Sequence, residues 1–254
     1  MRITGTKQWA PCNANCILGC SNDCEYCYAK KMAIRFGRAT RENWHEMRYN
    51  SNCKSQIRKY NGKIMFPTSH DLHIEHIDWW MPFLKGLLEK GNEVLIVTKP
   101  QFAAVHAICR QIYKYADQME FRFTIGTDDE ETRRFWEPNA PEIHERIQSL
   151  QFAYETGYKT SLSMEPLLTR APGLLINQVY PFVTGDIWIG MMNHMSINDF
   201  ADRNTCWFYE MKSINSIENI KRIYDLYKDN PKIKWKDSIQ DLLGLNERTM
   251  LAGA

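Results

Sequence analysis

Residues 19–28 read Gly-Cys-Ser-Asn-Asp-Cys-Glu-Tyr-Cys-Tyr, and this stretch sets Cys20, Cys24 and Cys27 at a C-x3-C-x2-C spacing. Cysteine thiolates hold iron–sulfur clusters, commonly four to a cubane. A loop with three such ligands can wrap one face of a cubane and leave the fourth iron open to a small molecule. Zinc is the rival metal, but structural zinc sites pair two cysteine knuckles or add spaced histidines, and the sequence shows no second knuckle. The spacing therefore favours an iron–sulfur cluster.

The composition is that of an ordinary globular chain. Its 254 residues fit one domain, and its 44% hydrophobic and 24% charged residues are typical values. No stretch approaches the ~20 apolar residues of a membrane span, and residues 1–10 lack the apolar core of a signal peptide. The eight cysteines crowd toward one end of the chain, which indicates a metal rather than disulfides. We therefore expect a cytoplasmic protein that does not bind membranes.

Short β-like runs alternate with helical stretches along the chain. Strands are expected at 63–67, 93–98, 120–125, 159–164, 186–191 and 232–235, and helices at about 28–36, 79–90, 102–115, 141–156 and 217–228. This alternation predicts βα units around a parallel sheet. We expect an α/β fold, a partial (β/α) barrel of about six or seven units, in a single domain over residues 1–254. The part over 192–254 would complete the barrel and could face the substrate.

Polar or charged side chains follow several of the expected strands. They are found at 68–71, 98–99, 127–128, 165 and 236–238. In parallel α/β barrels, ligands bind at the C-terminal ends of the strands. The five clusters therefore predict one polar mouth at that end of the barrel.

The cluster segment resembles the signature of the radical S-adenosylmethionine (SAM) superfamily, C-x3-C-x-aromatic-C at the start of a helix, with Tyr26 as the aromatic residue. The resemblance implies that the loop over 16–30 binds a [4Fe–4S] cluster through Cys20, Cys24 and Cys27, and that SAM chelates the open iron. It also implies that one electron cleaves SAM to methionine and a 5′-deoxyadenosyl radical, which abstracts hydrogen from the substrate. In this family the aromatic residue typically packs near the adenine.

Later segments are similar to the spore photoproduct lyase-like branch of the superfamily and to phage-borne radical SAM proteins. The matching stretches are 67–71, 97–99, 121–124, 135–138, 145–147, 155–158 and 163–168. The likeness covers roughly residues 16–190 and implies that Ser69, Lys99 and Thr124 contact SAM. Spore photoproduct lyases carry a hydrogen-donating cysteine where this sequence has Pro67. Repair of a thymine lesion by that route is therefore not predicted.

Elementary chemistry adds further candidate residues. The carboxylate of SAM favours a cation such as Lys99, and its ribose hydroxyls favour short polar side chains or a carboxylate such as Glu165. Asp71 could contact SAM or substrate, and Lys236 could face the substrate from the C-terminal part, so both are candidate catalytic residues. Helix capping by Asp237 is an equally good explanation of the polar residues after the last strand.

The substrate and the wider class of protein stay open at this point. The branch likeness favours a nucleic acid or nucleotide, whereas a net charge of only +2 and dispersed basic residues favour a small molecule or peptide. An electron donor such as flavodoxin or ferredoxin is the expected partner. Two non-catalytic alternatives are a zinc-binding module and a cluster that serves electron transfer or redox sensing without SAM turnover. Cys12 and Cys16, just upstream of the motif, have no assigned role.

We expect anaerobic reconstitution to load about four irons and four sulfides on the loop. Cys24→Ala removes one thiolate and should lose most of the iron, whereas Cys206→Ala, outside the motif, should retain it. Iron and sulfide analysis of the proteins prepared without air measures this difference. A full cluster in Cys24→Ala would refute the ligand assignment, and tetrahedral zinc in the wild-type protein would refute the cluster itself.

Overall fold

The structure is a computed structural model that describes residues 3–193 and 205–245. Its strands are β1 (Cys12–Asn13), β2 (Ile17–Leu18), β3 (Arg48–Tyr49), β4 (Ile64–Phe66), β5 (Val94–Thr98), β6 (Met119–Thr124), β7 (Lys159–Met164), β8 (Ile187–Ile189) and β9 (Ile233–Trp235). Its α-helices are α1 (Tyr28–Arg35), α2 (Ile77–Glu89), α3 (Phe102–Gln111), α4 (Glu130–Trp136), α5 (Ile143–Glu155), α6 (Gly173–Val179), α7 (Cys206–Ile214), α8 (Ile217–Tyr227) and α9 (Asp237–Leu242). Short 3-10 helices cover Gly5–Gln8, Ser51–Gln56, Ile74–His76, Tyr113–Gln118 and Tyr180–Phe182.

Seven strands form one curved sheet in the order β1-β4-β5-β6-β7-β8-β9. Every neighbouring pair in this sheet is parallel. The edge strands β1 and β9 do not pair with each other, so the barrel stays open on one side. The α/β partial barrel expected from the alternation of strands and helices is therefore confirmed.

The two faces of the sheet differ in polarity because the strand sequences alternate. Phe66, Phe121 and Phe123 are fully buried on the helix side, and the Phe66 ring lies 5.3 Å from the Phe83 ring of α2. The alternate residues of β6, among them Arg122 and Thr124, face the concave side. The apolar face holds the helices in place, and the polar face lines the barrel interior.

The sequence does not predict β2, β3, α4, α6, α7 or α9. Each is only two to nine residues long. Such a length gives a hydrophobic period too little room to appear. The expected C-terminal part, 192–254, falls partly outside the described residues, and its strand β9 pairs with β8. Within the described ranges, no helix has both the length and the apolar character needed to cross a membrane.

The segment before β1 bridges the open side of the barrel. The backbone N–H of Gly5 donates to Asp237 Oδ2 at 2.9 Å, and the carbonyl of Gly5 accepts from Lys236 Nζ at 2.6 Å. The side-chain oxygen of Gln8 accepts from the backbone N–H of Asp237 at 3.1 Å. Since Lys236 and Asp237 follow β9 and Gln8 precedes β1, these hydrogen bonds connect the two unpaired edges of the sheet.

The start of the cysteine loop is fixed by a close backbone approach. The antiparallel pair β2–β3 leads into Gly19, whose φ is +85°. A Cβ at Gly19 would lie 2.4 Å from the carbonyl oxygen of Glu46 and 2.8 Å from that of Trp44. The next residue, Cys20, donates its backbone N–H to the same Trp44 carbonyl at 3.0 Å. Only glycine fits at this position.

We expect Gly19→Ala to lower the free energy of unfolding by roughly 2–4 kcal/mol, because the methyl group adds backbone overlap to the strain of a left-handed conformation. Gly37 is the matched control, since its φ is +65° and nothing lies within 4 Å of a Cβ there. Gly37→Ala should therefore cost only about 1 kcal/mol. Urea unfolding compares the two. Equal losses would show that the contact with the 44–46 backbone does not constrain the loop.

Candidate functional site

The three motif cysteines lie together on the loop between β2 and α1. Cys27 begins α1, and its Sγ accepts the backbone N–H of Lys30 at 3.3 Å. Burial raises the pKa of all three thiols, to about 12 for Cys24, and the charges of Asp71, Cys24 and Cys27 raise the pKa of Cys20 further. Three neighbouring thiols with raised pKa values need a cation to become thiolates, and a metal centre supplies one.

The donor set of the loop is three cysteine thiols, the ligand type of iron–sulfur clusters. Among residues 3–193 and 205–245, no three His, Cys, Asp or Glu side chains are placed to hold one metal ion. In a cubane each thiolate binds a different iron, so the sulfur atoms stand further apart than around one zinc. Their mutual proximity and their position on one loop, with Cys20 and Cys24 buried, suit the three thiols to a [4Fe–4S] cluster.

Asp71 joins the cysteine loop to the ends of two strands. Its Oδ1 accepts from Thr98 Oγ1 at 2.7 Å and from the backbone N–H of Lys99 at 2.6 Å. Its Oδ2 accepts from Asn22 Nδ2 at 2.8 Å and lies 3.9 Å from both Cys20 Sγ and Lys99 Nζ. Burial would raise the pKa of the Asp71 carboxyl, but the Lys99 ammonium and these hydrogen bonds bring it below its ordinary value.

Lys99 lies between this carboxylate and the aromatic residue of the motif. Its Nζ is 5.6 Å from the centroid of the Tyr26 ring, a distance suited to a cation–π contact. Burial would lower the pKa of the Lys99 ammonium, but Cys24, Tyr26 and Asp71 raise it well above its ordinary value. Lys99 is therefore a charged group beside the cysteines, as a contact to the SAM carboxylate requires.

A buried ion pair, Glu137 and Arg146, fixes the position of Tyr26. The hydroxyl of Tyr26 donates to Glu137, and Glu137 Oε2 lies 2.5 Å from Arg146 Nη1. Arg146 also donates to the carbonyls of Thr124 at 3.2 Å and Pro141 at 2.8 Å. Both members of the pair are about 1% exposed, so neither contacts bulk water. The pair ties the cysteine loop to the C-terminal end of β6.

Sequence reasoning assigned no role to Glu137 and Arg146. Both lie in stretches that resemble the lyase-like branch, 135–138 and 145–147, and that likeness was the available signal. Their function becomes evident only in three dimensions, because the bond from Tyr26 to Glu137 joins residues 111 positions apart.

The other residues predicted to bind SAM or substrate lie in two different parts of the barrel. Ser69 donates its backbone N–H to Asn15 Oδ1 at 3.1 Å, and Thr124 ends β6 above Arg146. Glu165 and Lys236 form a separate pair, with 3.5 Å between Oε2 and Nζ. The structure thus brings Tyr26, Asp71 and Lys99 together with the cysteines, whereas Glu165 and Lys236 contact each other.

Lys236 is fully buried, whereas 21% of the Glu165 side chain is exposed. A Cβ on Gly190 would lie 2.8 Å from Lys236 Cγ and 3.0 Å from Glu165 Cγ. The absence of a side chain at Gly190 therefore allows the side chains of Lys236 and Glu165 to approach each other. Burial raises the pKa of Glu165 and lowers that of Lys236, and their mutual attraction only partly opposes both shifts. The ammonium of Lys236 is already bound to the carbonyl of Gly5. The catalytic roles of Lys236 and Asp71 stay predictions, and their contacts favour positioning roles.

Two curated proteins of similar sequence are themselves uncharacterised. No family model matches this chain. An uncharacterised protein of Methanocaldococcus jannaschii is 24% identical over 157 residues, which cover 61% of this chain and 59% of the relative. An uncharacterised protein of Acidianus two-tailed virus is 26% identical over 169 residues, which cover 60% of this chain and 54% of the relative. The chain therefore spans little more than half the length of these relatives.

Solved structures similar to this chain include those of spore photoproduct lyase. The lyase complexed with dinucleoside spore photoproduct has a TM-score of 0.59 at 14% identity, covering 92% of this chain and 78% of the lyase chain. A mutant lyase with bound AdoMet and dinucleoside spore photoproduct has a TM-score of 0.54 at 15% identity, covering 87% and 74%. The chain thus shares the fold of spore photoproduct lyase, and the resemblance drawn from its sequence segments is confirmed.

Glu137→Gln should lower the free energy of unfolding at pH 7 by roughly 3–5 kcal/mol, because Arg146 loses its buried counter-charge. Although burial would raise the pKa of Glu137, Arg146 and Lys99 keep it below its ordinary value of 4.5. A lowered carboxyl pKa adds stability that is complete above the unfolded pKa and is lost as the pH falls through the folded pKa. The difference between wild type and variant should therefore be constant above about pH 5 and shrink below about pH 4.5.

Urea unfolding between about pH 3.5 and pH 8 measures this difference. The control is Glu142→Gln, because Glu142 lies near this pair in sequence but its side chain is 61% exposed. That variant should stay within about 0.5 kcal/mol of wild type. A Glu137→Gln variant as stable as Glu142→Gln would show that the buried pair does not anchor the loop.

Proposed function

We propose that this chain is a radical SAM enzyme. The observation that carries the proposal is the position of three motif thiols, two buried and one half-buried, beside Lys99 and Tyr26 at the C-terminal end of a parallel partial barrel. The shared fold supports it, since a structure of spore photoproduct lyase contains AdoMet. A polar mouth with a fixed cation serves a bound cofactor, whereas a zinc module or an electron carrier needs neither.

Cys20, Cys24 and Cys27 would hold a [4Fe–4S] cluster. When bound, the cluster supplies the electron that cleaves SAM to methionine and a 5′-deoxyadenosyl radical, which takes hydrogen from the substrate. Cys20 and Cys24 are buried and Cys27 is half-buried, so the fold shields two of the three thiols from solvent. Because cofactors carry such chemistry, the work of the protein is to bind, orient and protect.

The residues around the cysteines are suited to orienting SAM. Asp71 fixes the start of the Lys99 side chain through its backbone N–H and keeps the ammonium charged. Lys99 would bind the SAM carboxylate, and a charge-assisted hydrogen bond there is worth about 1.5–3 kcal/mol. Tyr26 would pack near the adenine, with its ring held by the hydroxyl bond to Glu137. Ser69, Thr124 and Glu165 would supply further polar contacts.

The substrate is proposed to be a nucleic acid or nucleotide. The fold neighbour complexed with a dinucleoside photoproduct supports this class. Asp71 and Lys236 would act near that substrate as positioning groups or proton carriers. A flavodoxin or ferredoxin would deliver the electron, and a reducing cytoplasm would preserve the thiols and the cluster.

With dithionite and SAM, the reconstituted protein should form 5′-deoxyadenosine, which chromatography measures. Lys99→Ala should weaken SAM binding roughly 10- to 100-fold, the loss expected for one charge-assisted hydrogen bond, and should keep its iron content. Lys85→Ala is the control, since Lys85 is 49% exposed on α2, and its SAM affinity should match wild type.

Two results would contradict the proposal at different levels. Absence of 5′-deoxyadenosine from preparations with a full cluster would exclude radical chemistry. Unchanged SAM affinity in Lys99→Ala, with the iron content intact, would leave the chemistry standing and show that the carboxylate of SAM binds elsewhere.

A further inference from the structure

A cavity of about 450 Å³ opens at the end of the barrel opposite the cysteines. Its wall includes Trp9, Lys63, Glu120, Arg122, Asp186 and Trp188. Lys63 and Asp186 immediately precede β4 and β8, so the cavity lies at the N-terminal ends of the strands. Its volume is in the range of pockets that hold small molecules.

Arg122 presents an unused donor in this wall. Its Nε donates to Ser161 Oγ at 3.0 Å, and its Nη2 donates to Glu120 Oε1 at 3.0 Å. Its Nη1 is buried and has no hydrogen-bond partner, and only 6% of the side chain is exposed. A buried guanidinium N–H without an acceptor is costly, and native proteins rarely leave one.

The neighbouring acids do not pair with Nη1. Glu120 Oε1 accepts from Ser161 Oγ at 2.6 Å and from Arg122 Nη2, and its Oε2 accepts from Lys63 Nζ at 2.9 Å. Glu120 and Asp186 offset part of the local positive charge, but neither accepts a hydrogen bond from Nη1 of Arg122.

Two indole N–H groups beside Arg122, those of Trp9 and Trp188, also have no hydrogen-bond acceptor. The guanidinium carbon lies 5.1 Å from the Trp9 ring centroid and 5.7 Å from that of Trp188, and the two rings are 6.3 Å apart. The indole Nε1 of each tryptophan is buried and has no hydrogen-bond partner. Indole nitrogen can only donate, so three clustered groups in the wall of one cavity offer hydrogen-bond donors.

We propose that this cavity binds the anionic group of a small molecule, a carboxylate or a phosphate, through Arg122 Nη1 and the indole N–H groups of Trp9 and Trp188. Oxyanions are the acceptors that guanidinium binds most strongly. Lys236 Nζ lies 4.3 Å from the Trp9 ring centroid and 5.8 Å from that of Trp188, so a second cation stands beside these donors and adds to the attraction for an anion. The cavity lies at the other end of the strands from the cysteines, with Lys236 packed between Trp9 and Glu165, and the proposal does not depend on radical chemistry.

Calorimetric titration of the full, cluster-loaded chain with inorganic phosphate and, separately, with acetate tests the proposal and separates the two anion classes. One of the two should bind saturably at one site. Arg122→Gln should weaken that binding roughly 10- to 100-fold, because a charged donor is lost. Trp188→Phe keeps the ring but removes the N–H, and should weaken binding by about 2- to 10-fold. Trp235→Phe does not alter the cavity wall and should bind as wild type does.

Absence of binding for both anions would overturn the proposal, as would Arg122→Gln or Trp188→Phe that fold and bind as wild type does. Circular dichroism establishes folding, and if Arg122→Gln does not fold, Trp9→Phe and Trp188→Phe decide the matter. Assay of 5′-deoxyadenosine in the same preparations keeps the two proposals apart. Anion binding without SAM cleavage would refute only the radical function, and SAM cleavage without anion binding would refute only this site.

Discussion

The carboxylate of Asp71 is the constraint on which the candidate site depends. It accepts hydrogen bonds from the end of β5 and from Asn22 inside the cysteine loop, and it lies within 4 Å of the Lys99 ammonium. The anion helps to set the position of the loop relative to the sheet, together with the Glu137–Arg146 pair that binds Tyr26. It stays charged because cationic and N–H groups surround it.

The alternation of the strands explains why one sheet can carry two kinds of site. The residues that face the helices are apolar and form the core, so every polar side chain of β6 points into the concave interior. At the C-terminal end of the sheet, polar interior side chains lie beside the cysteine loop. Toward the N-terminal end, the polar interior side chain is Arg122, which lies beside Trp9 and Trp188. Buried polar groups in the interior need partners, and bound ligands are one way to supply them.

Much of this arrangement follows from local sequence. The cysteine spacing, the alternation of strands and helices and the polar residues after each strand are local patterns, and they were enough to predict the partial barrel and to bring Tyr26, Asp71 and Lys99 to one end. Partners distant in sequence were not predictable, because no local period links Tyr26 to Glu137 or Trp9 to Arg122 and Lys236. The pairing of Glu165 with Lys236 was not predictable for the same reason, because the two residues follow different strands, β7 and β9.

The bridge between the unpaired edges means that the barrel wall is closed at this flank without strand pairing. The segment Gly5–Gln8 belongs to no strand, and its hydrogen bonds to Lys236 and Asp237 are worth on the order of 3 kcal/mol by ordinary values. Trp9, which follows this segment, packs on Lys236 and Trp188 and adds an aromatic contact to the same closure. Among the described residues, the early and late parts of the chain thus complete the barrel wall by side-chain contacts, where a full barrel would use a strand ladder.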